Sequence, residues 1–193
     1  MARLLRAVIR RFDAYLCRVY RVYEFTQDPE CILRLAPTIA RQPLQAHGVT
    51  VVQPGEALLE IHLWNEHMTP LNASENSIAW GSRTLRQFKY SLQLAARHVA
   101  SQPGLAGMRG IFAVTSVLSS EHNSNRPGFM ERLGFITLPY HNKLGAFGEF
   151  WENFYAWWIM WTYNPLSLRS RRLTGMRRSE MWMPMSDFMQ RYG

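Results

Sequence analysis

Hydrophobic positions along this chain alternate between two spacings. Over residues 1–24 they recur every three to four residues, so Leu5, Val8, Ile9, Phe12, Leu16, Val19, Tyr20 and Tyr23 share one face. Arg3, Arg6, Arg10, Arg11, Arg18 and Arg21 occupy much of the remainder, and Asp13 is the one acidic residue before Glu24. This is a basic amphipathic helix, expected to pack its apolar face and leave its arginines in water. From Cys31 the spacing drops to two. Cys31–Ile39 and Val49–Val52 are short β-like runs, and Ala57–Trp64 places Leu59, Ile61 and Leu63 on one face with Glu60, His62 and Trp64 on the other. Gln53-Pro54-Gly55-Glu56 is a turn, in which Pro fixes the first corner and Gly takes the second. These runs predict a three-stranded β-meander.

Helical spacing returns from Thr84 to Val99, where Leu85, Phe88, Leu92, Ala95, Ala96 and Val99 form a stripe. Ser82 is the expected N-cap, and Pro103-Gly104 the stop. Ile111–Leu118 reads as a strand, followed by a polar loop, a short helix stopped by Gly134 and a strand over Ile136–Tyr140. An aromatic helix begins at Gly145. Arg169–Arg178 is a basic, turn-rich loop, Met181–Met183 a last strand, and Ser186 the cap of a terminal helix through Asp187, Phe188, Met189 and Tyr192. No repeat or linker divides the chain. One domain over 1–193 is expected, made of the 1–24 helix, a 31–140 sheet–helix core and a 145–193 closing segment. Its fold class is α+β, with a mixed, mostly antiparallel sheet flanked by helices.

Composition sharpens this picture. A 193-residue chain, 47% hydrophobic and 19% charged, is globular and long enough for a full core. Cys17 and Cys31 make neither a metal spacing nor a disulfide framework, and read as free thiols in a reducing cytoplasm. Arginines interrupt the first helix and no small-residue cleavage site follows, so it is not a secretory signal. The net charge of +8 fits an anionic membrane surface better than nucleic acid, since nothing resembles a base-reading module. The aromatic helix carries Glu149, Glu152 and Asn153, and its uncharged stretch from Phe154 to Tyr163 is far short of the roughly 20 residues a span requires. Its Trp and Tyr residues, followed by Arg169, Arg171, Arg172, Arg177 and Arg178, suit a core, a bilayer interface on the inner face of the membrane, or a protein partner docking on Trp151, Trp157, Trp158 and Trp161.

His62, Glu66 and His67 form the densest ionisable group. A helix would bring such residues onto a metal, but His62 lies in a strand and a loop follows it, so no metal site is predicted. The group reads instead as a polar cluster lining a pocket, or as a general base in His62 or Glu66.

Two family resemblances attach to quoted residues. Asn123-to-Phe135 (NSNRPGFMERLGF), with Asn123 opening the segment and Leu133-Gly134-Phe135 closing it, resembles the last motif of the GNAT acyltransferases. Met130 stands where many of those enzymes carry a Tyr general acid. The resemblance implies acetyl-CoA or another acyl-CoA as cofactor. It places the pyrophosphate at the start of the second long helix, on Gly81, Ser82 and Arg83, and the pantetheine at Asn123, with His62 or Glu66 as base. Only one glycine is present in that turn, a departure from the family's Gly-rich pattern. GEALLEIHLWNE (Gly55–Glu66), with an N-terminal helix before it and Glu180–Gly193 closing the chain, is similar to YkoP-like proteins of bacteria. Some of these are joined to polysaccharide-deacetylase domains, which implies a cell-envelope setting. Three functions are therefore expected in contest: a GNAT-related binding module at a membrane or envelope, an acyl-CoA-dependent acyltransferase with a divergent coenzyme loop, and a subunit of a larger assembly.

Overall fold

The computed structural model describes residues 2–71, 77–115, 129–140, 142, 144–168, 176 and 178–193. Five strands form the main sheet: β1 (Leu33–Ile39), β4 (Ala57–Leu63), β5 (Gly110–Thr115), β7 (Ser179–Pro184) and β6 (Ile136–Pro139), in that spatial order. β4 and β5 run parallel and the other neighbours antiparallel, so the sheet is mixed and mostly antiparallel. β2 (Leu44–Ala46) and β3 (Val49–Val52) pair with each other outside this sheet. The expected three-stranded meander is therefore corrected. β1 pairs directly with β4, and Val49–Val52 belongs to a separate hairpin turned at His47 and Gly48, both left-handed (φ 52° and 76°). That conformation suits a two-residue hairpin turn.

Strand alternation sorts the sheet into two unlike faces. Leu33, Leu35, Leu59, Ile61, Ile111, Ala113, Met181 and Met183 form a dry face against α2 (Ser77–Ser101) and α5 (Met185–Tyr192), which supply Phe88, Leu92, Ala95, Ala96, Val99, Phe188 and Tyr192. Ser91 is fully buried in this layer. Its Oγ accepts the Ile32 N–H at 2.9 Å and donates to the Gln87 carbonyl at 2.7 Å, fixing α2 to the entry of β1. On the other face the β2–β3 hairpin covers Leu58 and Trp182 with Leu44, Ala46 and Val52. β7 has neighbours on both edges and layers on both faces, so Met181-Trp182-Met183-Pro184 is buried throughout, as an interior strand requires.

α3 (Phe129–Arg132) ends at Gly134 with φ +91°, and Phe135 N–H bonds the Met130 carbonyl at 3.0 Å. Leu133 and Phe135 enter the core, while Tyr192 Oη donates to the Leu133 carbonyl at 2.8 Å. Leu133-Gly134-Phe135 is thus a left-handed helix stop locked against α5. α5 starts at Met185, after Pro184, with no side-chain cap, so Ser186 is not the capping residue.

The first helix departs most from expectation. α1 (Ala2–Val19) buries Ile9 and half-buries Asp13, Leu16 and Cys17. Two of its arginines reach α4 (Gly145–Tyr163), Arg6 over the Trp161 ring and Arg10 over Tyr163 at 5.6 and 5.7 Å. Leu5, Val8, Phe12, Val19 and Tyr20 stay exposed. Guanidinium–aromatic contact turns the helix away from the packing its apolar period predicts. No helix among the described residues is long and apolar enough to cross a membrane.

Two glycine substitutions test the packing in opposite directions. A Cβ on Gly110 would meet the Met183 carbonyl at 2.6 Å, so Gly110→Ala is expected to lower stability by about 1–3 kcal/mol. Gly81 lies inside α2 with nothing within 4 Å, so Gly81→Ala is expected to raise it by about 0.5–1 kcal/mol. Urea unfolding midpoints read both.

Candidate functional site

The second face of the sheet carries Arg34, Thr38, Glu60, His62, Val114 and Glu180 beyond the reach of the hairpin. α1 and α4 stand over these residues without filling the space, and a cavity of about 1000 Å³ remains. That is the size of a small-molecule site. Its walls are apolar along Phe12, Leu16, Phe112, Trp151, Phe154 and Trp158, and polar where the strands point inward. Between β4 and β5 the registered pairs are Leu59–Ile111 and Glu60–Phe112. Beyond them the two strands keep only their outer neighbours, and Ile61, Leu63, Ala113 and Thr115 line the cavity.

Glu60 and His62 occupy alternate positions of β4 and so share the face. His62 Nε2 is 3.6 Å from Glu60 Oε1, longer than a hydrogen bond, and has no hydrogen-bond partner. The side chains retain 23% and 34% of their surface, which is cavity wall. Burial raises Glu60 to about 7, opposed by Arg41 and reinforced by Glu180. Burial and then Arg34 lower His62 to about 4. At neutral pH the imidazole is uncharged and the carboxyl is divided between its two forms. A carboxyl so placed can accept a proton or donate one.

Two polar clusters hold the roof. Arg34, the cross-strand partner of His62, lies 3.7 Å from Asp13, 3.1 Å from Glu24 and 3.2 Å from Glu66, and its guanidinium stacks 4.7 Å from the Trp64 ring centroid. Its Nε is buried without a hydrogen-bond partner. Asp13 also accepts from Tyr155 Oη on α4 at 2.5 Å, and the Tyr155 hydroxyl is pushed far up by burial and by that carboxylate. At the other end Tyr140 Oη donates to both Glu152 oxygens at 2.7 and 2.8 Å, while Arg178 Nη2 donates to the Glu152 carbonyl at 2.6 Å. Burial and Glu152 raise Tyr140 to about 12, so it stays protonated.

The residues singled out from sequence are only partly brought together. His62 faces the cavity, whereas Glu66 sits in the Arg34 cluster. Its carboxylate there accepts from Arg34, Trp64 Nε1 at 3.3 Å and Tyr163 Oη at 3.1 Å. His67 stacks on Trp64 with centroids 3.6 Å apart, and its Nδ1 is 2.9 Å from the Cys31 carbonyl. Gly81, Ser82 and Arg83 lie a turn inside α2, where main-chain amides are already paired within the helix, instead of at its start. Ser82 is not its N-cap. Asn123 lies outside the described residues. Met130 is buried and lines the cavity. Trp151 and Trp158 also line it, Trp161 lies under Arg6, and Trp157 is half-buried. Cys17 and Cys31 are free thiols. Among the described residues no three His, Cys, Asp or Glu side chains gather to hold a metal. Glu60 was legible as the strand-face neighbour of His62. Arg34, Tyr140 and Arg178 had no local signal, since their carboxylate-bearing partners lie 10 to 32 residues away.

A family model described as the YkoP domain matches residues 2–192, and the chain belongs to that family. No curated protein and no solved structure matches it.

The opposed shifts of Glu60 and His62 give a pH signature. Between about pH 4.5 and 7 the folded chain holds a Glu60 proton that the unfolded chain has lost, so this group's contribution to stability falls as pH rises. Between about pH 4 and 6.5 the unfolded chain holds the extra proton at His62, so that contribution rises. The slopes cancel over most of the range. Glu60→Gln should uncover the histidine slope, with stability climbing from pH 4 to 6.5. Above pH 7 the variant should exceed the parent by on the order of 2 kcal/mol. Urea titrations across this range test it, and a variant profile as flat as the parent's contradicts the assignment.

Proposed function

We propose that this chain is a binding module of GNAT-like architecture whose cavity takes an amphiphilic, amine-bearing small molecule. The observation that carries this reading is the wall formed by Arg34, His62 and Glu60. His62 Nε2 is buried without a hydrogen-bond partner and can accept from an ammonium, and Glu60 stands beside it, while Arg34 keeps to its own carboxylates. Buried polar atoms of this kind are rare unless a ligand or water completes them. Arg34 and Arg178 bond the protein's own carboxylates and carbonyls, and Glu60 and Glu180 bring two carboxyls to the sheet wall of the cavity, with Arg41 opposing at Glu60 and Gln42 Nε2 donating to Glu180 at 3.3 Å. An amine is attracted there and favours the ionised form of Glu60. The aromatic walls from α1 and α4 suit an apolar tail. Met130, where many GNAT enzymes carry a Tyr general acid, and Gly81-Ser82-Arg83 within a helix interior favour binding over standard acyl transfer.

A second reading is favoured by one observation. Where β4 and β5 part, an extended amide-bearing chain such as the arm of an acyl-CoA can lie along the strand edges. Glu60 would then take the proton from an attacking amine, and the protein would be an acyl-CoA-dependent acyltransferase.

Octylamine, octanol and octanoate separate these possibilities. The amine should raise the melting temperature and the carboxylate should not, with the amine effect weakened at least tenfold in apparent Kd by Glu60→Gln and fading below pH 6. Equal responses to all three, or an unchanged Gln variant, remove the reading. Consumption of acetyl-CoA or a long-chain acyl-CoA with octylamine, lost in Glu60→Gln, would establish the second.

A further inference from the structure

α1 presents three faces, and only two are used by the fold. Ile9, Asp13, Leu16 and Cys17 look toward the body, and Arg6 and Arg10 reach the rings of α4. At 100° per residue the third face holds Leu4, Val8, Phe12, Tyr15 and Val19, which are 71%, 48%, 45%, 58% and 53% exposed. They form an apolar stripe about 22 Å long at 1.5 Å per residue. Arg11 and Arg18, both exposed, lie about two helical turns apart along one edge of it. Phe12 meets Tyr155 of α4 edge-on with ring centroids 5.8 Å apart, one helical turn from Trp151. There the stripe joins a second exposed apolar set, Leu144, Phe147, Phe150 and Trp151, on the first half of α4.

We infer that this joined surface docks on an anionic lipid bilayer, with α1 lying in the plane of the interface. Two observations select lipid as the occupant. The surface's flanking charge is arginine, in a chain of net charge +8, which matches anionic headgroups. Its exposed aromatic residues include Trp151 and Tyr15, types that settle at headgroup level. A helix with an apolar face, a basic edge and modest overall hydrophobicity lies on a membrane and does not span it. The inference stands on the exposed residues of α1 and α4; of these Phe12 and Trp151 also line the cavity, whereas Leu4, Val8, Tyr15 and Val19 do not.

The test is flotation of the full chain with vesicles of equimolar phosphatidylglycerol and phosphatidylcholine, against phosphatidylcholine alone. Binding is expected to the anionic vesicles only, and to weaken as salt is raised. Arg11→Gln with Arg18→Gln should reduce partitioning about thirtyfold, from roughly 1 kcal/mol per basic residue. Val8→Ser with Tyr15→Ser should reduce it at least tenfold. Both pairs are exposed, so melting temperature and the octylamine response should be unchanged, which separates failure here from failure of the cavity reading. Absence of binding to anionic vesicles by the folded parent overturns the inference, as does equal binding to both vesicle types. Concentration-dependent dimerisation abolished by Val8→Ser with Tyr15→Ser also overturns it, because the stripe would then be a contact between copies.

Discussion

A guanidinium withdrawn from water is tolerable only where carboxylates converge on it. Arg34 retains 12% of its side-chain surface, and it draws Asp13, Glu24 and Glu66 from three separate stretches of chain. Each partner keeps some solvent contact, so no single pair contributes much. Together they are a constraint, since removing the cation would leave three carboxylates facing one another beside a buried indole. Asp13 belongs to α1, and through Tyr155 it reaches α4 as well. Glu66 follows β4 and reaches α4 through Tyr163. The roof of the cavity is therefore held to the sheet mainly by charge, and the space beneath it need not be filled with side chains.

The two faces of the sheet divide the work. One face is packed mainly with apolar side chains, its Ser91 and Tyr192 hydroxyls both hydrogen-bonded, and it supplies the hydrophobic driving force. The other trades packing for a half-neutral carboxyl, an uncharged imidazole and unmatched nitrogen atoms. Such an arrangement lowers stability unless something enters to complete it. Tyr140, Glu152 and Arg178 close the far end, tying α4 to the strands as the Arg34 cluster does near β4.

Much of the sheet was legible in the chain because Leu59, Ile61 and Leu63 alternate with Glu60 and His62, so that β4 shows one apolar face. The hairpin strand Leu44–Ala46 was not, being three residues long and preceded by Pro43. α1 misled for a physical reason. Its period identified a helix, but which face packs was decided by Trp161, Tyr163 and Tyr155, all far away in sequence and able to attract arginine or aspartate. The Leu133-Gly134-Phe135 motif was visible as a helix stop, and its packing against Tyr192 accounts for its residues without invoking a ligand. His62 could be found from the strand pattern. Glu60 followed from the same alternation, but Arg34 did not, since it meets His62 only through cross-strand register.

The short pairing between β4 and β5 has a mechanical meaning. β1 and β4 are joined by seven registered pairs and β5 and β7 by six, whereas two pairs connect these halves. The sheet is thus two stiff plates welded along a brief seam. Its softest deformation is a change in the angle between the plates, which alters the volume under the helices while every strand keeps its partners. The volume of the cavity is then tied to the compliance of that weld as well as to the side chains that line it.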